Sequence, residues 1–222
     1  MIHLFAGYDP GESDGFHVFT QSVLEKASVP VTISPLHLPM LQFYNDKNNK
    51  GTNAFIQSRF LIPYLMEYKG WAIFMDGADM MLREDIAQLA ALFDPFKAVQ
   101  VVKHDYTSKH ERKYIGTPLE NQNIIYPRKN WSSMMIINCS HYAWRQITPE
   151  AVEKLPNPYL HRFEFIDDRF IGELPKEWNW LVTEYPFNSD AKLVHFTLGI
   201  PSFEHYKDCD YSQEWKELKR KT

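Results

Sequence analysis

The chain is poor in the features that mark several protein classes. Cys139 and Cys209 are its only cysteines, too few for a disulfide framework and without the paired spacing of a zinc site. No apolar run approaches the ~18 residues that cross a bilayer. Lys and Arg number 24 against 28 Asp and Glu, a formal net charge of −4 with no long basic block. That excludes nucleic acid as the main expected partner, because neutralising phosphates takes clustered cations. There is no internal repeat and no low-complexity tract. The opening residues, Met1-Ile2-His3-Leu4-Phe5-Ala6, run into a strand-like segment with no basic n-region or cleavage site, so a cytoplasmic location is expected. With 44% hydrophobic and 23% charged residues, the 222-residue chain has a globular composition. Disorder, coiled coil and collagen are ruled out for the whole. The excess is in aromatics, 15% of residues, whose rings either fill a core or stack on sugars and bases.

Apolar runs alternate with amphipathic stretches. Residues 2–6 read as a strand, stopped by Gly7-Tyr8-Asp9-Pro10-Gly11. Phe16, Val18, Phe19, Val23 and Leu24 then follow at helical spacing. Residues 29–34 read as a second strand closed by Pro35, and 46–51 as an exposed loop. A helix is expected over 55–68, with Pro63 as a kink point. The run 71–75 suits a buried parallel strand. A helix over 85–93 and strands at 98–102, 134–138 and 193–196 complete the pattern. Strand and helix alternate through the first half, which predicts βαβ units, a mostly parallel sheet and one α/β domain over 1–222.

Ligands of open α/β sheets bind beyond the carboxyl ends of the strands. The residues that follow the predicted strands are therefore the candidates: Tyr8-Asp9, Asp76-Gly77-Ala78-Asp79, Lys103-His104-Asp105, and His195 with Thr197 and Gly199. Two carboxylates three positions apart, with Gly77 easing the turn between them, suit a hard divalent cation shared with phosphate oxygens and water. The plainer reading has Asp79 capping a turn and Asp76 pairing with a base such as Arg83. An imidazole beside such carboxylates favours Mn2+ over Mg2+; a core histidine satisfied by its neighbours is the alternative for His195. Asp167-Asp168, after Phe163-Glu164-Phe165-Ile166, reads either as a solvated turn or as a second acidic site. Arg59, isolated among apolar residues, calls for an anionic partner, structural or phosphate.

In this order the segments resemble a bacterial glycosyltransferase of the GT-A fold, near glycosyltransferase family 8, along nearly the whole chain. They are Phe5-Ala6-Gly7-Tyr8-Asp9, Ser58-Arg59-Phe60-Leu61, Ile73-Phe74-Met75-Asp76-Gly77-Ala78-Asp79, Ser132-Ser133-Met134-Met135-Ile136-Ile137-Asn138, Ile166-Asp167-Asp168 and His195-Phe196-Thr197-Leu198-Gly199. The resemblance implies a GT-A-like α/β fold and transfer of a sugar, with retention, from a nucleotide donor, UDP-linked, to a saccharide or glycolipid acceptor of the lipopolysaccharide kind. It implies a Mn2+ or Mg2+ ion held by Asp76, Asp79 and His195. Tyr8 and Asp9 would contact the nucleoside, and Arg59 the donor phosphate or sugar. Ser133 and Gly199 would line the donor site, Asp167 would orient sugar hydroxyls, and Asp168 would lie by the anomeric carbon.

Three positions depart from the family pattern. The acidic motif is DxxD rather than DxD. Asp168 stands where the better-known branch has Gln. The Lys that follows the C-terminal His-Gly segment is replaced by Ile200-Pro201-Ser202-Phe203, leaving Lys103 or Arg59 to compensate. These departures keep alive a nucleotide-sugar-binding protein without turnover. A Mg2+-dependent aspartyl phosphatase is a further alternative, although its nucleophile normally ends the first strand. The C-terminal Trp215-Lys216-Glu217-Leu218-Lys219-Arg220-Lys221 reads as a solvated end or as a contact with an anionic membrane.

Overall fold

In the computed structural model, which describes residues 1–45 and 53–222, the apolar run after Met1 forms strand β1 (Ile2–Gly7). A 3-10 turn at Pro10–Glu12 leads into helix α1 (Ser13–Lys26), followed by β2 (Val31–Leu36), α2 (Ile62–Leu65), β3 (Trp71–Met75), β4 (Met80–Leu82) and α3 (Ile86–Ala90). Then come β5 (Val99–Val101), the short hairpin β6 (Arg112–Lys113) and β7 (Asn121–Gln122), and β8 (Met134–Asn138). Helices α4 (Pro149–Lys154) and α5 (Asn157–His161), strands β9 (Ile171–Glu173), β10 (Trp180–Leu181) and β11 (Leu193–His195), and helix α6 (Ser212–Lys219) complete the described chain. The loop expected at 46–51 lies outside the described residues.

The main sheet has the order β2-β1-β3-β8-β5-β9. It is mixed but mostly parallel: β2, β1 and β3 run together, β5 and β9 run together, and β8 is antiparallel to both β3 and β5. A second sheet, β10-β11-β4, carries the late strand alongside the segment that leaves β3.

Strand β3 is buried on both faces, as its unbroken apolar run predicts. Ala72 and Phe74 point into one core with Phe60, Leu61 and Ile62, while Ile73 and Met75 point into the other with Phe19, Val23, Ile86 and Leu89. A third cluster, Val18, Met81, Val194, Phe196 and Trp215, packs beneath α6.

The helix expected over 55–68 is largely absent. Ser58–Leu61 is a 3-10 turn and only Ile62–Leu65 is α-helical. Pro63 has no N–H to give, so it fits only in a first helical turn, and left-handed Glu67 and Tyr68 (φ 53° and 54°) end the segment four residues later. The helix expected over 85–93 shortens to α3, with the Asp85 side chain accepting from the Ala87 N–H at 2.9 Å. Strand β2 continues through Pro35, tolerated because β2 is an edge strand. The basic C-terminal segment is docked rather than free. Trp215 is buried, and Lys219 and Lys221 pair with Asp14 and Glu25 of α1. Among the described residues no helix is long and apolar enough to cross a membrane.

Candidate metal and donor site

Strand β3 delivers Asp76 at its end, and a tight turn closed by the Asp79 N–H to the Asp76 carbonyl (3.2 Å) brings Asp79 round before β4. Gly77 serves close packing more than turning freedom: a Cβ there would lie 2.9 Å from the Ala6 Cβ. Gly15 does the same from α1, where a Cβ would fall 1.8 Å from the Ala78 carbonyl oxygen. Antiparallel pairing of β11 with β4 sets His195 opposite Met80, and the Phe196 N–H donates to the Asp79 carbonyl at 2.8 Å. Asp76, Asp79 and His195, all buried, thereby offer ligand atoms within 4.8 Å of one another.

The hydrogen-bond network fixes how His195 faces this point. Ser133 Oγ donates to the Asn130 carbonyl (2.7 Å), so it accepts from Asn179 Nδ2 (2.8 Å), which turns Asn179 Oδ1 towards His195 Nδ1 at 3.1 Å. Nδ1 therefore carries the proton. Nε2 is left facing Asp79 Oδ2 at 3.3 Å, donating to it when protonated and offering a ligand lone pair when not. Asp79 Oδ1 and Asp76 Oδ1 are buried without hydrogen bonds. A divalent cation would give Asp79 Oδ1 the partner it lacks and would take Asp76 and His195 Nε2 as further ligands. Two carboxylates plus an imidazole oriented through its other nitrogen suit Mn2+ or Mg2+.

The partner of Asp76 is Arg59, not Arg83. Arg59 Nη1 lies 2.7 Å from Asp76 Oδ1, off the line of a hydrogen bond, while its N–H groups reach the Ser132 carbonyl (2.9 Å) and the Ile56 carbonyl (3.1 Å). The guanidinium is sandwiched by Phe74 and Phe55, 4.8 and 5.3 Å from the ring centres. Burial pushes the Asp76 carboxyl up to about 7, against the pull of Arg59 and with the push of Asp79. Arg83 instead binds Glu214 at 2.8 Å.

A cavity of about 410 Å³ is lined among others by Ile56, Lys113, Tyr126, Lys129, Asn130 and Thr197; the trio itself does not line it, and Thr197, two residues beyond His195, links the two along the chain. Burial lowers the Lys113 amine, and the charges of Asp79, Glu12 and Asp76 act on it in the opposite sense. Lys129 is pushed down to about 8, first by burial and then by Lys113. Nothing in the sequence around these lysines singled them out, since Arg112-Lys113 and Arg128-Lys129 read as ordinary surface charge.

The other expected site residues fall in several places. Asp9 is buried at the end of β1 with both oxygens taken, by the Gly11 N–H (2.8 Å) and the Ala54 N–H (2.9 Å). Tyr8 is half-buried with its ring edge-on to Phe16 and His37. Ser133 belongs to the network behind His195. Lys103 lies over the Trp131 ring. Gly199, at φ 152°, lets the Tyr206 ring approach to 2.4 Å of where a Cβ would stand. Tyr206 in turn accepts from the Ile115 N–H (3.1 Å), and the Tyr114 N–H donates to the Leu198 carbonyl (2.6 Å), binding the β6 hairpin to the segment after His195. Asp167 and Asp168 are exposed. Asp167 accepts from the Arg169 N–H (3.1 Å), and Asp168 pairs with Arg128 at 2.7 Å. Among the described residues no hydrogen bond or ion pair joins either to the trio.

Sheet order and acidic strand ends define a GT-A-type fold, and solved structures agree. The chain superposes on the WbbM bifunctional glycosyltransferase (TM-score 0.62, 10% identity, 98% of this chain and 51% of that one) and on the glycosyltransferase GlyE of Streptococcus pneumoniae TIGR4 (0.64, 11%, 98% and 60%). It also superposes on the galactosyltransferase LgtC (0.56, 11%, 99% and 96%). The chain thus spans about half the length of WbbM, 60% of GlyE and nearly all of LgtC, and at these identities the likeness is one of fold. No family model matches. In sequence the chain is 37% identical over 223 residues to Protein CDI of Arabidopsis thaliana, covering 96% of this chain and 84% of that protein, and it belongs to the same family. That relative is a plant protein, so a bacterial source does not follow from the family.

Proposed function

We propose that this protein is a metal-dependent, retaining glycosyltransferase that moves a sugar from a UDP-linked donor to a saccharide or glycolipid acceptor. The observation that carries the reading is the buried Asp76-Asp79-His195 trio, with its orphaned Asp79 oxygen, in a GT-A-type fold that also carries a lysine-lined cavity. A divalent ion held by the trio supplies Lewis-acid neutralisation of the diphosphate leaving group. Lys113 and Lys129 give the cavity the cationic wall that a diphosphate needs, in place of the Lys missing after Gly199. Arg59 draws the Asp76 carboxyl part of the way back towards its charged form and holds it in position from behind. A neighbouring cavity of about 590 Å³ shares Gln122, Asn123 and Ile124 with the first and is the place for the acceptor. For Asp168 to work at the anomeric carbon, as retention requires in this reading, its carboxylate must leave Arg128.

That last requirement is the specific observation favouring the alternative of donor binding without turnover. The phosphatase alternative loses ground at Asp9, the acid that ends β1, because both its oxygens are held by backbone N–H groups.

Thermal unfolding with UDP, with and without Mn2+, tests the donor site on wild type and Asp79→Asn. Ligand at 100 times its Kd stabilises by about 2.7 kcal/mol, and each kcal/mol raises the midpoint by about 2–4 °C in a domain of this size. A shift that needs Mn2+ and vanishes in Asp79→Asn is expected; no shift under any condition sinks the reading. Release of free sugar or its transfer from a UDP-sugar then separates the transferase from the silent binder.

A further inference from the structure

Glu12 is the residue of this region that the mechanism above leaves unused. It sits in the Pro10–Glu12 turn, as the cap residue before α1, a place where an acidic side chain ordinarily reaches back to free N–H groups or out to water. It does neither. Its side chain makes no cap hydrogen bond, it is 1% exposed, and both carboxylate oxygens are buried without a hydrogen-bond partner. A glutamate is almost never fully buried unless something pairs with it.

Its position says what that something is. Gly15 lets the first turn of α1, with Glu12 at its head, press onto the Asp76–Asp79 turn. Burial pushes the Glu12 carboxyl well above the usual carboxylate range, and the charges of Asp79, Asp9 and Asp76 push the same way, with Lys113 against them. Asp9 is spent on backbone N–H groups and Arg59 lies against Asp76, while the charge of Lys113 acts on both Asp79 and Glu12. Glu12 also stands outside the set of atoms within 4.8 Å that Asp76, Asp79 and His195 form. A carboxylate one layer out from such a set is placed to accept hydrogen bonds from water on the cation, and small divalent ions keep several waters.

We propose that Glu12 is a positioning residue of the cation site, holding a water of the bound divalent ion and so raising the affinity of the trio for it. The proposal rests on the metal reading given above, and the test separates the two.

Mn2+ alone, without nucleotide, is titrated into wild type, Glu12→Gln, Glu12→Asp and Asp79→Asn, with free Mn2+ followed by electron paramagnetic resonance. Wild type binds. Glu12→Gln binds about 10- to 100-fold more weakly, Glu12→Asp falls between, and Asp79→Asn loses binding. Melting temperatures without Mn2+ are unchanged or higher in Glu12→Gln, because the amide keeps the shape and removes a crowded acid. Wild-type affinity in Glu12→Gln, with Asp79→Asn defective, overturns the role of Glu12 and leaves the trio standing. No Mn2+ binding by wild type overturns the metal reading itself. Should Glu12→Gln not fold, Glu12→Asp decides, and wild-type affinity there overturns the proposal.

Discussion

Asp76 and Asp79 follow Ile73-Phe74-Met75, and Asp167 and Asp168 follow Phe163-Glu164-Phe165-Ile166, so both pairs come after a short apolar run. The first pair ends up 8% and 5% exposed around a common point, with Arg59 and His195 closing in. The second stands at the surface with Arg169 and Arg128. The difference lies in the runs. Strand β3 is pinned between β1 and β8 and buried on both faces, so the residues leaving its end emerge under the second sheet. Phe163 instead takes a left-handed conformation (φ 54°) in a string of turns, and Phe163, Phe165 and Ile166 plug one core while the acids between and after them face water. An apolar run followed by acids marks a site only when the run is a central strand.

Variants that remove the basic partner from each pair test this contrast most strongly. Arg59→Met takes from buried Asp76 the cation that lies 2.7 Å from it, and a loss of about 3–5 kcal/mol is expected in urea unfolding. Arg128→Met, at the surface, is expected to cost about 1 kcal/mol or less. Equal losses would break the comparison.

Asn179→Ala sharpens it from behind the trio. Removing the acceptor of the His195 Nδ1 proton frees the ring to turn or change tautomer, and Mn2+ affinity is expected to fall about 10- to 100-fold. The same titration on Arg169→Ala, beside the exposed pair, is expected to show no change.

The smallest effect concerns buried histidine. His104 donates to or accepts from the Tyr185 hydroxyl at 2.9 Å, and burial holds its pKa down to about 3 from 6.5. Between those values the unfolded chain takes up a proton that the native state refuses. Stability therefore falls as pH drops below about 6.5, by at most about 1.4 kcal/mol per pH unit for this group. His104→Gln is expected to flatten the dependence of the unfolding midpoint between pH 6.5 and 4.5 by up to one proton.

The sequence announced the ends of β3 and β11 because a buried strand is a local, uninterrupted pattern and its polar successors stand out. It could not announce Asn179, which lies in Trp178-Asn179-Trp180 with nothing to distinguish it from a turn residue. Nor could it announce that Asp76 would choose Arg59 over the nearer Arg83, since that choice depends on how the 55–65 segment crosses the sheet. Glu12 was hidden for another reason: an acid opening a helix has so ordinary an explanation that only its burial contradicts it. The 55–68 segment falls short of a helix because Pro63 fits only a first helical turn and left-handed Glu67 and Tyr68 end the segment just beyond it.

The tie between the hairpin and the late strand has a consequence for how a ligand would arrive. With the Tyr114 N–H on the Leu198 carbonyl, Ile115 on the Tyr206 hydroxyl and the Tyr206 ring against Gly199, the arm bearing Lys113 moves as one piece with the segment bearing His195. Such an arm is a fixed caliper rather than a closing lid. Its jaw is set when the chain folds, so the entropy of ordering it is spent before any encounter. Any ligand that enters then meets a gap of settled width.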